Sequence, residues 1–238
     1  MRTPLRRACG RLCREGRRRP RMELRLFPLH TVLFPGMPLP LNVFEPRYLQ
    51  LVQECLEHEE PFGVALIREG PEVGGFADPF MVGATARIEQ VAQGMLNAIQ
   101  LLARGERRVR ILELHHDRPY LWADVEEIED RPGEAPQELL ERGQELLDEF
   151  ERLRFSSQGG YVRTRSPEPV SKPPGVLADA IGATGAGSPA ERQELLELLD
   201  PGVRLERAVA MFAPLIEQMR QRSTDSAVRR WSEPGALN

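Results

Sequence analysis

Residues 26–48 read LFPLHTVLFPGMPLPLNVFEPRY, a run in which prolines at 28, 35, 38, 40 and 46 are interleaved with large apolar side chains. Proline holds φ at about −65° and offers no N–H to a ladder, so neither an ordinary helix nor a central strand runs through such a segment. Short extended pieces joined by stiff corners remain. Pro46 is different, because at the first position of a helix its missing N–H costs nothing, and Glu45 before it places negative charge at the helix N-terminus. A helix is therefore expected from Glu45 to about Glu59. Tyr48, Leu49, Val52, Cys55 and Leu56 form its apolar face, and Gln50, Gln53, Glu54 and Glu57 the other.

Downstream the pattern has a period of two. Strands are expected at Phe62 to Arg68, Phe80 to Gln93, Leu96 to Arg104, Arg107 to Leu114 and Tyr120 to Ile128, with turn signals at Gly70-Pro71, Gly94, Gly105 and His116-Asp117-Arg118-Pro119. Open edges are a liability, so strands at this spacing should curl into a small antiparallel pseudo-barrel plugged by the one helix. Arg131-Pro132-Gly133 marks a boundary, beyond which the period becomes helical: Leu139, Leu146 and Leu153 recur with Leu140, Leu147 and Phe150 beside them. A short helix is expected at Val176 to Ile181. Ser188-Pro189-Ala190-Glu191 is a capping box, and Asp200-Pro201 opens a last helix that should kink at Pro214. The fold class is α+β: a β-domain over residues 22–130, then an α-helical subdomain over 134–222 with a flexible loop at 156–174. The ends, 1–21 and 223–238, are expected to be disordered.

Charge and composition exclude several functions. With 238 residues, 41% hydrophobic and 29% charged, the chain can bury a sizeable core, and no window is apolar enough to span a bilayer. The net charge of −4 conceals nine arginines within residues 1–21, so the rest is acidic and poorly suited to nucleic acid. That basic stretch lacks both the apolar core of a secretory signal and stacking aromatics, so it reads as a disordered tail or as sequence preceding a natural start at Met22. Lys172 is the sole lysine and lies beside Ser171, Pro173 and Pro174, which leaves no P-loop and no well-placed Ser–Lys pair. No serine occupies a Gly-x-Ser-x-Gly elbow. Cys9 and Cys13 have no further Cys or His nearby, and His115 and His116 point to opposite faces of a strand, so no metal site is expected. Cys55 reads as a buried thiol, consistent with a reducing cytoplasm. No cofactor and no catalytic residue is expected.

Four motifs give the chain a family likeness: Phe27-Pro28-Leu29 with Val32-Leu33-Phe34-Pro35-Gly36; Pro40-Leu41-Asn42-Val43-Phe44-Glu45-Pro46-Arg47-Tyr48; Gly83-Ala84-Thr85-Ala86-Arg87-Ile88; and Gly105-Glu106-Arg107-Arg108-Val109-Arg110-Ile111. Leu177-Ala178-Asp179-Ala180-Ile181, Leu195-Leu196-Glu197 and Arg204-Leu205-Glu206 continue it through the helical half. Over residues 22–220 the chain resembles the N-terminal substrate-binding domain of Lon proteases, and more closely the stand-alone bacterial form. The resemblance implies a PUA-like pseudo-barrel packed on helices. It also implies recognition of unfolded or flexible apolar polypeptides without cutting them, in the manner of an adaptor in protein quality control whose partners include a protease or chaperone.

Within the first block, Phe34, Pro35, Met37, Arg47 and Tyr48 are the candidate polypeptide contacts. Phe34-Pro35-Gly36-Met37-Pro38 reads either as an exposed apolar loop, with Met37 on the surface as an adaptable contact, or as a stiff corner whose Phe and Leu side chains fill the β-core. Arg47 could receive an acidic group or make a local ion pair and clamp a backbone carbonyl. Tyr48 fits the core with its hydroxyl reaching a partner. The alternative function is an RNA-binding module, because Arg104, Arg107, Arg108 and Arg110 cluster along one stretch. One prediction follows from the basic stretch, which has too little apolar surface to order itself. A chain of residues 22–238 should melt with the full chain, and a loss of more than a few degrees would show that the first 21 residues pack on the fold.

Overall fold

The computed structural model describes residues 21–75, 77–94, 98–157 and 172–232. The basic stretch at 1–20, most of the loop at 156–174 and residues 233–238 lie outside the described residues. Seven strands come first: β1 (Met22–Leu29), β2 (Pro38–Val43), β3 (Phe62–Glu69), β4 (Asp78–Pro79), β5 (Val82–Gln93), β6 (Ile99–His115) and β7 (Trp122–Ile128), with α1 (Pro46–His58) between β2 and β3. Then follow α2 (Gln137–Ser157), α3 (Pro174–Gly182), α4 (Pro189–Glu197) and α5 (Pro201–Ser232). The sheet runs β1-β7-β6-β5-β3-β4, with β2 added along β6. A parallel pairing of β1 with β3, from Leu26 with Gly63 to Leu29 with Leu66, bends it into a partial ring rather than a true barrel. All other pairings are antiparallel. The α+β pseudo-barrel read from the sequence is the observed fold.

Three local expectations are corrected. Gly105 is no turn, since β6 passes straight through it, pairing with β2 along Ile99–Arg104 and with β7 along Arg108–His115. The glycine answers a close approach instead: Gly105 N–H donates to the Met37 carbonyl at 2.9 Å, Gly36 N–H donates to the Gly105 carbonyl at 2.7 Å, and a Cβ at 105 would collide with the Phe34 carbonyl oxygen. On α1 the buried face is Tyr48, Leu51, Val52 and Cys55, an i, i+3, i+4, i+7 set, whereas Leu56 is largely exposed. The last helix continues to Ser232, past the end drawn at residue 222. It also passes through Pro214, which leaves the carbonyl of Ala210 without its helical donor.

Caps explain where the helices start. The Ser188 side chain accepts from Glu191 N–H at 3.2 Å while Glu191 accepts from Ser188 N–H at 2.8 Å, a complete capping box. Asp200 Oδ1 accepts from the N–H groups of Gly202 and Val203 and opens α5. Inside the ring, α1 packs on Phe27, Leu29, Leu33, Leu39, Phe62 and Leu101. The apolar faces of α2, α3, α4 and α5 meet around Leu146, Leu177, Ile181, Leu195, Leu205 and Phe212, and they take in Val32, Phe34 and Leu66 from the β-half.

An ion quartet of three buried members, Arg108, Asp179 and Arg204, and the partly exposed Asp130 ties the two halves. Arg108 of β6 donates to Asp130 Oδ1 at 2.6 Å and to Asp179 of α3 at 2.9 Å, and Arg204 of α5 donates to both oxygens of Asp130 at 2.7 and 2.6 Å. Arg204 Nε lies 3.2 Å from Asp179 Oδ1, and Arg204 also holds the Leu198 carbonyl at 2.7 Å. Burial opposes ionisation of Asp130, but the hydrogen bonds from Arg204 and the charges of both arginines outweigh it and hold that carboxyl below its ordinary range. Burial pushes the deeper Asp179 upward, against the pull of the same arginines. Two positive and two negative groups balance, so deleting one leaves an uncompensated buried charge. Arg204→Met should destabilise the protein by about 3–5 kcal/mol in urea unfolding, and Arg204→Lys should not restore the loss, because a single ammonium cannot reproduce the planar fork. A loss within experimental error would remove the quartet from the forces holding the halves together.

A second polar joint fastens α1 to the ring. Glu54 accepts from the Tyr120 hydroxyl and from Arg25 Nε at 3.0 Å, and Arg25 also reaches Glu60 at 2.7 Å. The Tyr120 hydrogen bond, opposed by some burial and helped by Gln50 and Arg25, lowers the Glu54 carboxyl from its ordinary 4.5 to about 2. A depressed carboxyl contributes stability that is present above its unfolded value and lost as pH falls through its folded value. The melting-temperature gap between wild type and Glu54→Gln should therefore be widest above pH 4.5 and close as pH falls toward 2. A gap that does not vary with pH would sever Glu54 from acid stability.

Candidate functional site

The loop from Val32 to Met37 is held from both sides. Val32, Leu33 and Phe34 are fully buried, a Met37 N–H to Phe34 carbonyl bond of 3.0 Å closes the corner, and Gly36 takes φ +80°. Arg104 adds a bond to the Gly36 carbonyl at 3.0 Å. Phe34 projects into the helical core, where its ring lies so close to α3 that a Cβ on Gly182 would sit 2.5 Å from Phe34 Cζ. The loop is a stiff corner and Leu33 fills the ring core as expected, but Phe34 enters the helical core instead of the β-core expected for it, because the corner faces α3. Met37 is not a free surface residue: it is half-buried and packs against both the ring core and the helical core.

Arg47 makes the local contacts foreseen as its structural role. It lies 3.1 Å from Glu45, donates to the Gly75 carbonyl, and approaches the Glu72 carbonyl at 3.4 Å. Glu45 in turn accepts from Gly74 N–H at 3.2 Å, so the pair pins the β3–β4 connection over the start of α1. The Arg47 guanidinium sits 4.5 Å from the centre of the Tyr48 ring, which stacks on Phe27 at 4.0 Å. Tyr48 is buried, and no hydrogen bond of its hydroxyl is found among the described residues. Of the five candidate contacts, only Pro35 and Met37 therefore keep accessible surface of any apolar use. Cys55 is buried as expected, and burial pushes its thiol up to about 11.

Two surfaces remain open around this frame. Where β-half and helices meet, an open cleft of about 480 Å³ is lined by Pro35, Arg107, Arg108, Glu127, Glu129 and Asp130, and it is predominantly acidic. At the opposite side of the ring core, apolar side chains reach the surface. Leu41, Leu101 and Val91 lie side by side across β2, β6 and β5; Leu41, Ile88 and Ile99 are half-buried against the core; and Phe44, immediately before α1, is 57% exposed. Sequence reasoning passed over Phe44, although its place between Val43 of β2 and Pro46 of α1 was the available signal, since a residue at such a junction has no element of its own to pack it.

The arginines that suggested RNA are matched by acids. Arg104 pairs with Glu89, Arg107 with Glu127, Arg110 with Glu126 and Arg108 with the acids of the quartet. Nothing in this geometry favours nucleic acid. His115 stacks on Trp122 at 4.0 Å, and Asp117 accepts from Trp122 Nε1 at 2.6 Å, so the His115-His116-Asp117 stretch does end in a structured hairpin. Lys172 is exposed ahead of α3.

The comparisons with known proteins agree with this architecture. The family model described as the ATP-dependent protease La (LON) substrate-binding domain matches residues 23–213. The Lon protease of Syntrophus aciditrophicus is 32% identical over 187 residues, which cover 74% of this chain and 23% of that protein. The Lon protease of Escherichia coli K12 is 28% identical over 210 residues, 84% of this chain and 26% of its own length. The chain thus spans about a quarter of the curated relatives it matches. Among solved structures, a Lon N-terminal domain protein from Xanthomonas campestris superposes with a TM-score of 0.61 at 30% identity, covering 79% of this chain and 98% of that one. The N-terminal domain of a Mycobacterium avium complex Lon protease shares the fold with a TM-score of 0.58 at 20% identity, covering 81% and 98%. With the family model spanning ring, quartet and helices alike, the chain belongs to the Lon substrate-binding domain family.

Proposed function

We propose that this chain binds unfolded or flexible apolar polypeptide segments without cutting them, and serves as an adaptor in protein quality control that delivers what it holds to a protease or chaperone in the cytoplasm. The observation that carries the reading is the match of the substrate-binding family model to residues 23–213. The contact surface in this reading is the apolar rim of the ring, Phe44 with Leu41, Ile99 and Val91, extended toward Met37 and Pro35 at the seam. Non-catalytic action is supported by the residues themselves, since the sole lysine is exposed on a proline-flanked stretch, the Ser188 hydroxyl that meets Glu191 is engaged in capping α4, and the Tyr120 hydroxyl that meets Glu54 fastens α1 to the ring. The division at residues 130–134 into a β-domain and an α-helical subdomain belongs to the same proposal.

A rim of partly exposed apolar side chains on a rigid ring suits weak, sequence-tolerant binding, because little ordering is required of the protein side. Apolar peptides should bind with dissociation constants on the order of micromolar, equivalent to roughly −8 kcal/mol. In fluorescence anisotropy with labelled peptides from an unfolded protein, Phe44→Asp should weaken binding about tenfold, roughly 1.4 kcal/mol, and leave the melting temperature unchanged. Phe34→Ala should instead lower stability by about 3–5 kcal/mol, because Phe34 fills the helical core. Absence of binding to any unfolded polypeptide would defeat the function. Undiminished binding by Phe44→Asp would move the contact surface to the cleft at the seam.

A further inference from the structure

The end of the β6–β7 hairpin carries charges arranged unlike those on the rest of the sheet. Arg87 is matched by Glu106, Arg104 by Glu89, Arg107 by Glu127 and Arg110 by Glu126, at 2.5 to 3.1 Å. Beyond Ile111 the pattern breaks: Glu113 and Asp124, two carboxylates, stand directly opposite each other across the ladder. Like charges so placed repel. Among the described residues no hydrogen bond or ion pair engages Glu113, so its charge is unmatched on the protein side.

His115, two positions along β6 from Glu113, lies on the same face of the strand. One ligand-type atom from each of Glu113, His115 and Asp124 lies within 4.8 Å of the other two. The His115 Nε2 to Asp124 Oδ2 distance is 3.3 Å, close to the separation of about 3.3 Å between two ligands held 2.0–2.1 Å from a tetrahedral zinc ion. The imidazole is oriented by its packing. It stacks on Trp122 at 4.0 Å, and Trp122 is itself held by Asp117 at 2.6 Å and lies 4.3 Å from the Arg118 guanidinium. The Arg118 charge is directed to Glu23 at 3.4 Å.

We propose that Glu113, His115 and Asp124 form a binding site for a divalent transition-metal ion. One imidazole nitrogen with two carboxylate oxygens suits Zn²⁺, Co²⁺ or Ni²⁺, whereas Mg²⁺ and Ca²⁺ favour oxygen ligands throughout. The ion would offset the repulsion of the facing carboxylates, and with side chains only partly buried its remaining positions would be filled by water. Because the ligands come from both β6 and β7, loading clamps the hairpin end. Spacing along the chain singles out His115-His116-Asp117, whereas the groups that converge on His115 are Glu113, two residues upstream, and Asp124, across the ladder.

Trp122 supplies a built-in reporter, and the chain has only one other tryptophan, Trp231. Chelator-treated full-length protein carrying Trp231→Phe should be titrated with Zn²⁺ and with Ni²⁺ near neutral pH while Trp122 emission and the melting temperature are followed. We expect saturable one-to-one binding, quenching of Trp122 by Ni²⁺, and a raised melting temperature that excess Mg²⁺ does not reverse. Glu113→Gln and Asp124→Asn should each weaken Zn²⁺ binding about tenfold or more, and His115→Ala should abolish it. Lack of a saturable response overturns the site. So does a response that survives in Glu113→Gln and Asp124→Asn, which would place the ion on other histidines. If metal has no effect and Glu113→Gln alone raises the melting temperature, His115 serves only to neutralise its neighbours and the proposal fails.

Discussion

The Arg108–Asp130–Asp179–Arg204 quartet is the constraint on which the arrangement of the two halves depends. Its members come from β6, from the residue pair after β7, from α3 and from α5, so no single element can move without exposing or orphaning a charge. Buried ion pairs are poor sources of net stability, because desolvation consumes much of what attraction returns. Their use here lies in direction. An apolar interface would permit α3 and α5 to slide over the ring, whereas two planar guanidinium forks facing two carboxylates accept one register.

Phe34 performs the apolar counterpart of that joint. The loop that carries it is stitched to Gly105 by two backbone bonds, so the ring enters the helical core from a fixed point on the sheet. Small residues on both partners make this possible, Gly105 beneath the loop and Gly182 against the ring. Polar quartet and aromatic plug lie on the same seam, with Pro35 and Met37 between them. The residues that give the chain its family likeness are thus largely those that join its halves. The proposed contact surface accordingly uses side chains that the frame leaves uncovered, such as Phe44.

The surface of the sheet follows a different rule. Cross-strand arginine–glutamate pairs contribute little individually in water, but they leave no basic stripe for nucleic acid and keep the strand faces soluble. The prolines of β2 act similarly on its outer edge, where Pro38 and Pro40 remove donors that another chain could use. Among the described residues, Phe44 is the most exposed of the large apolar side chains, while Leu56, Val73, Val176 and Val203 are exposed on other elements.

What the sequence determined by itself was local: the proline-stiffened corners, the start of α1 at Pro46, the capping box at Ser188, the cap at Asp200, the alternation of the strands and the heptad-like spacing of α2. Each rests on the geometry of a few consecutive residues, which is why it could be read without a partner. The family likeness added the class of fold in the same way, through short motifs. Tertiary structure decided the rest. Gly105 looks like a turn in sequence, and only the presence of Phe34 above it makes it a contact point within a continuous strand. Arg108 looks like a member of a basic cluster, and only the approach of Asp130, Asp179 and Arg204, 22 to 96 positions away along the chain, turns it into a buried joint. Met37 seemed a surface residue until two cores closed around it. These outcomes depend on which distant groups come to share a low-dielectric space, and neither periodicity nor propensity carries that information.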